Sequence, residues 1–133
     1  MTRSTPVIGL MIASLTGVLG TAMLGSAFAQ TGPRAPAAPP AFAQCAVCHA
    51  TTAGAPRKIG PTLAGVAGKP AATRPGFAYS AALKGSKIVW TDAKLDQFLQ
   101  GPARMVPGTK MTAAGIGNAA TRAQIIAYLK SLR

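Results

Sequence analysis

Five consecutive residues, Cys45-Ala46-Val47-Cys48-His49, constrain this chain more than any other feature. Two thiols three positions apart, with an imidazole directly after the second, form the C-x-x-C-H pattern of covalent c-type haem attachment. Each sulfur can add across one vinyl group of the haem, and the adjoining histidine is then held where a ring nitrogen reaches the iron. Three plainer uses of the same residues compete with this one. A disulfide between Cys45 and Cys48 would close a very short loop and gain little from chain entropy. A thioredoxin-like dithiol belongs beside a βαβ pattern, and none is present. A structural zinc ion needs four ligands, whereas the whole chain holds two cysteines and one histidine.

At 133 residues the chain makes at most one ordinary domain. Aromatic residues are only 5% of it, so a core built from peptide alone would be thin, and a buried haem would supply the missing apolar bulk. Fourteen Lys and Arg stand against two acidic residues, Asp92 and Asp96, for a net charge of +12. That imbalance bears on partners and steering, not on fold.

Residues 1–29 read as a secretory signal. Arg3 supplies the positive start, Val7 to Leu24 is apolar apart from Ser, Thr and Gly, and Ala27-Phe28-Ala29 fits the small-x-small rule for cleavage. The competing reading is an uncleaved membrane anchor, since the apolar run is nearly long enough to span a bilayer. Either way the remainder is exported, and the periplasm is the expected compartment. Nucleic-acid binding on charge alone is not expected of an exported chain. An oxidising compartment would also tend to join bare cysteines, which thioether formation prevents.

Residues 30–40 form a Pro- and Ala-rich linker without a packed face. Pro40 can open a short helix over Ala41-Phe42-Ala43-Gln44. Thr51 to Pro75 is punctuated by glycine and proline throughout and reads as loop, and a loop so long in a small domain needs something to wrap. Tyr79 to Lys84 predicts one or two helical turns, opened by Ser80 and closed by Gly85. Thr91 reads as an N-cap with Asp92 in the first turn, and Leu95, Phe98 and Leu99 give that helix one apolar stripe before Gly101-Pro102 ends it. Pro107-Gly108 signals a turn. Thr121 to Gln124 has the form of a capping box, followed by Ile125, Tyr128, Leu129 and Leu132 at helical spacing. No run alternates as a strand, so the class is all-α with much loop.

A haem held by one histidine needs a second ligand or an open site, and that choice separates electron carriers from haem enzymes and gas sensors. No second histidine exists. Met1, Met11 and Met23 fall in the leader, which leaves Met105 and Met111. Met111 is the better candidate, because it sits on a Pro-Gly-shaped loop far downstream of His49, whereas Met105 lies close behind Pro102 and reads as packing.

The order Cys45-x-x-Cys48-His49, Gly60-Pro61-Thr62-Leu63, Tyr79, Trp90, Pro107-Gly108-Thr109-Lys110-Met111 and Ile125-Ile126-Ala127-Tyr128-Leu129 resembles a class I cytochrome c, near the mitochondrial and bacterial c2-type branch. The resemblance covers residues 41–133. It implies a few short helices and long loops wrapped around one covalently bound haem c and its iron. It implies thioethers at Cys45 and Cys48, axial ligation by His49 and Met111, and a Pro61 carbonyl accepting a hydrogen bond from the His49 ring. Tyr79 and Trp90 would donate to a buried haem propionate with Lys69 near it, and Thr109 would shield the Met111 side.

Two departures stand out. Phe98 occupies a place where many relatives carry a tyrosine, and the first helix is short, so that its crossing with Ile125 and Tyr128 of the last helix is weakened or rearranged around Phe42. The expected function is one-electron transfer by a non-enzymatic carrier, a monomer whose basic Arg57, Lys58, Arg104 and Lys110 steer it to acidic-surfaced redox proteins. The membrane would be met only through those partners or an uncleaved anchor. A haem subunit dedicated to one periplasmic oxidoreductase, and an open-site enzyme or sensor, are the alternatives.

Overall fold

The computed structural model describes residues 36–133. The leader assigned to 1–29 and the first part of the 30–40 linker lie outside the described residues. A 3-10 turn, Pro40–Phe42, runs into α1 (Ala43–Cys48), and α2 (Ala81–Gly85), α3 (Asp92–Gln100), α4 (Pro102–Met105) and α5 (Ala119–Ser131) follow. Among the described residues the one sheet-like contact is an isolated antiparallel bridge between Pro70 and Val89. The all-α expectation therefore holds, and no helix of the described residues is long and apolar enough to cross a membrane.

Local chemistry explains most of the helix ends. Pro40 sits in the first turn, where a missing N–H leaves nothing unsatisfied, and the Phe42 N–H donates to the Pro39 carbonyl at 2.8 Å. Ser80 and Thr91 cap α2 and α3 as their sequence contexts predict, accepting through their hydroxyls from Leu83 N–H and Lys94 N–H. Gly101 ends α3, but Pro102 does not simply stop the chain. Its fixed φ suits a first helical position, and it opens the extra turn α4. Gly108 takes φ +85°, as the Pro107-Gly108 turn requires.

The start of α5 differs from the expected capping box. Asn118 is the N-cap, its side-chain oxygen accepting from Thr121 N–H at 3.0 Å, and Ala119-Ala120 form the first turn. Asparagine caps at least as well as threonine, and alanine has the strongest helix propensity, so the helix begins earlier and Thr121 becomes an interior residue.

The core lies where α3 and α5 meet. Leu95, Phe98 and Leu99 pack with Ile125, Ile126 and Leu129, and Phe42 and Trp90 close the cluster. Phe42 is buried and sets its ring edge-on to Tyr128, centroids 4.6 Å apart, so the contact between the chain's first turns and its last helix is organised around this one aromatic pair. Trp90 meets Phe98 in the same manner at 4.9 Å. Two ion pairs also join the helices. Arg122 meets Asp96 at 2.7 Å with its guanidinium buried, and Lys130 meets Asp92 at 2.7 Å in solvent, where such a pair contributes about 0–1 kcal/mol.

Asn118→Ala is expected to cost about 1 kcal/mol of stability, and Thr121→Ala less than half as much, measured as the shift in urea midpoint. The reverse order would return the cap to Thr121.

Candidate cofactor site

Between α1, the 59–79 loops, α3 and the segment after Gly108 lies a largely apolar cavity of about 1090 Å³. Leaving so much apolar wall to water would forfeit hydrophobic burial that a small domain depends on. The walls fit a large, flat, mostly apolar group carrying a few polar edges.

One end is set by α1. Helical spacing of three places Cys45 and Cys48 on the same face, and both sulfurs border the cavity unjoined to each other. Cys45 is half-buried, and desolvation raises its thiol pKa while a backbone hydrogen bond acts the other way. A reactive redox dithiol needs the opposite shift. No group of three or more His, Cys, Asp or Glu side chains that could hold a metal ion occurs among the described residues, which disposes of a zinc cage.

His49 leaves the helix in extended conformation, φ −118° and ψ 138°, so its ring turns away from the helix axis and lines the cavity. Its Nδ1–H donates to the Pro61 carbonyl at 2.7 Å, which fixes the tautomer and leaves Nε2 as the free lone-pair nitrogen. The loop that supplies this carbonyl is bound back to the motif. Gly60 N–H donates to the Cys48 carbonyl and Leu63 N–H to that of Ala50, each at 2.8 Å. Gly60 is flat against the imidazole. A Cβ there would overlap the ring, coming 2.6 Å from Nδ1. In the sequence Gly60 is one residue of a Gly-Pro-Thr-Leu motif; in the packing its missing side chain makes room for the histidine.

The remaining expected residues come to the same cavity from three separate segments. Tyr79 and Trp90 line it on one side, and Thr109 and Met111 on another. Upstream, Met111 is held by its N–H to the Thr109 hydroxyl at 3.3 Å and by the Gly108 turn. Met105 sits on α4 against the core and is not part of the cavity wall. Trp90 is fixed by the paired backbone around Pro70 and Val89, where its N–H donates to Lys69 and its carbonyl accepts from Gly68, both at 2.9 Å.

Arg74 was not legible as a site residue. It is half-buried and lines the cavity together with Tyr79. Burial raises the Tyr79 pKa, with the Arg74 backbone and charge opposing, so the phenol remains a neutral donor at physiological pH. Lys69 also borders the cavity, but its side chain is exposed. Nothing in the spacing of residues 70–76 marks Arg74 out, because its partner is five positions away around an irregular loop.

Around the mouth, Val47 and Ile59 expose large apolar side chains. Lys58 bonds the Ala46 carbonyl, Arg57 that of Gly76, and Lys110 that of Ala78. Their charges meet no carboxylate, since Asp92 and Asp96 are both engaged with α5.

Comparison with known proteins agrees with this arrangement. The family model for cytochrome c matches residues 39–133. Cytochrome c2 of Rhodomicrobium vannielii is 39% identical over 112 residues, covering 84% of this chain and 90% of that protein. Cytochrome c2 iso-2 of Magnetospirillum fulvum is 45% identical over 95 residues, covering 71% and 98%. The solved structure of cytochrome cH from Methylobacterium extorquens superposes with a TM-score of 0.64 at 44% identity, covering 68% of this chain and 91% of that one.

The Gly60 contact yields a direct test. Gly60→Ala should displace the His49 ring, break its bond to Pro61 and destabilise the protein by about 2 kcal/mol or more. Gly85→Ala, where a Cβ meets nothing within 4 Å, should stay within about 0.5 kcal/mol of the parent in the same denaturant titration.

Proposed function

The chain belongs to the cytochrome c family, and from that premise we propose that it shuttles electrons in the periplasm with His49 and Met111 as the two axial ligands of its haem. It carries one covalent haem c with its iron and is an electron-transfer protein serving redox partners, not an enzyme. The haem, when bound, supplies a one-electron ferric–ferrous couple. One observation carries the ligand assignment. The two thiols, His49 and Met111 converge on a single cavity from both ends of the domain, while Met105 is kept on α4 outside it.

Each wall residue then has a task. Cys45 and Cys48 hold the group through thioethers from one helix face. His49 would offer Nε2, its ring oriented by the bond from Nδ1–H to the Pro61 carbonyl. The Met111 sulfur, a soft ligand, favours the reduced state and leaves no position for a substrate. Tyr79 and Trp90 would donate to a propionate, and the half-buried Arg74 would balance its charge. Thr109 steadies the methionine loop from its own hydroxyl. Because both ligands are fixed by packed chain, little rearrangement accompanies a change of oxidation state.

The mouth suits brief docking. Lys58, Arg57 and Lys110, all exposed and without acidic neighbours, present a positive rim around the apolar Val47 and Ile59. Such a rim draws in acidic protein surfaces and loosens as salt screens it. The leader sequence and the bacterial cytochrome c2 relatives support the periplasm as the working compartment, and a monomer is the form that shuttles.

Two outcomes are expected. The ferric protein should show a methionine–iron charge-transfer band, and the ferrous protein should resist carbon monoxide. Met111→Ala should lose the band and bind carbon monoxide, and Met105→Ala should keep the parent behaviour; ready carbon monoxide binding by the parent would point to an open iron instead. Electron exchange with an acidic redox protein should slow as salt rises, and replacing Lys58 and Lys110 together by Gln should flatten that salt dependence, read by stopped flow.

A further inference from the structure

Arg122 is the buried charge that the site as described leaves unexplained. Its residue is 6% exposed, and every hydrogen bond that it makes is directed. Nε and Nη2 face the two carboxylate oxygens of Asp96 on α3, at 2.7 and 3.3 Å. Nη1 donates to the carbonyls of Ile116 and Gly117, each at 2.9 Å. The guanidinium thus ties three pieces of chain together: α5, α3, and the irregular segment that leads away from Met111.

That segment is pinned at the same place by two other contacts. Ile116 N–H donates to the Leu99 carbonyl at 2.8 Å. Gly115 lies so close to the end of α3 that a Cβ would collide with the Gln100 carbonyl and come within 3.3 Å of Gly101 Cα. Only Thr112, Ala113 and Ala114 separate this anchor from Met111, and all three are exposed. Upstream, the Thr109 hydroxyl and the Gly108 turn hold the methionine. Downstream, the first hold on its loop is this anchor, where Gly115 and Ile116 meet the end of α3 and Arg122 grips the Ile116 and Gly117 carbonyls.

We infer that Arg122 is a positioning residue for Met111, whose guanidinium clamps the Ile116–Gly117 backbone to α3 and so keeps the methionine sulfur closed over the cavity. The inference rests on the proposed ligation by Met111. Lys130 provides the contrast, since it joins α5 to α3 through Asp92 but touches no part of the 112–117 segment. A bond that merely fastened two helices would make Arg122 and Lys130 alike in kind. A clamp on the methionine loop separates them.

The test uses the purified haem-loaded protein and the rate at which imidazole displaces the methionine from the ferric iron, set beside the urea midpoint of each variant. Arg122→Gln should bind imidazole at least tenfold faster than the parent under conditions where both are fully folded. Arg122→Lys, which keeps a charge for Asp96 but cannot reach both carbonyls, should fall between. Lys130→Gln should stay within twofold of the parent. If Arg122→Gln proves too unstable to purify, Arg122→Lys against Lys130→Gln carries the comparison alone. Rates unchanged in the Arg122 variants, whatever their midpoints, would reduce the residue to a helix fastener and overturn the inference. A parent protein that already binds imidazole as fast as Met111→Ala would overturn it by another route, through the ligation reading itself.

Discussion

The rest of this structure depends on a volume that its own side chains do not fill. Helices α3 and α5 pack one face each into a shared core, but Trp90, Phe98, Leu99, Ile125 and Leu129 also look onto the cavity of about 1090 Å³ that the haem completes. Tethering at Cys45 and Cys48 makes that filling permanent. The long 51–75 loop can then do without helix or strand, because much of it lines the cavity and it is fastened by single backbone bonds, Leu63 to Ala50, Gly65 to Leu132 and Ala71 to Ile88. The two ends of the domain meet through Phe42, which lines that cavity, and Tyr128, which packs edge-on against it from α5.

Charge is distributed by the same logic. A chain with only two carboxylates spends both on α3, where they join α5 and, through Arg122, secure the segment after Met111. None remains to neutralise the lysines and arginines around the cavity mouth. One allocation of scarce acid therefore fastens the segment after Met111 and leaves the cavity mouth positive.

Much of this was legible in the sequence where the physics is local. The haem motif, the Ser80 and Thr91 caps and the apolar stripe of α3 each need only a few neighbouring residues to be recognised, and each stands where expected. The α5 start misled because two good caps lie three residues apart, and the local pattern of Thr121 to Gln124 outweighed Asn118 in reading though not in folding. Pro102 after Gly101 looked like a terminator alone, although the same proline also begins α4. Arg74 and Arg122 were out of reach for a different reason, since their roles come from residues brought near by the fold. A hint existed for Arg122: Asp92 and Asp96 lie one turn apart, Arg122 and Lys130 lie about two turns apart, and one face of each helix could have been matched with the other.

The central claim, that this chain folds around its covalent haem, is tested most directly by thermal unfolding followed by circular dichroism. The protein with Cys45 and Cys48 both replaced by alanine, produced without haem, should show little helix and no cooperative transition, while the haem-loaded parent melts cooperatively. A cooperative transition with parental helix content in the haem-free chain would show that the peptide completes its own core, and would contradict the account.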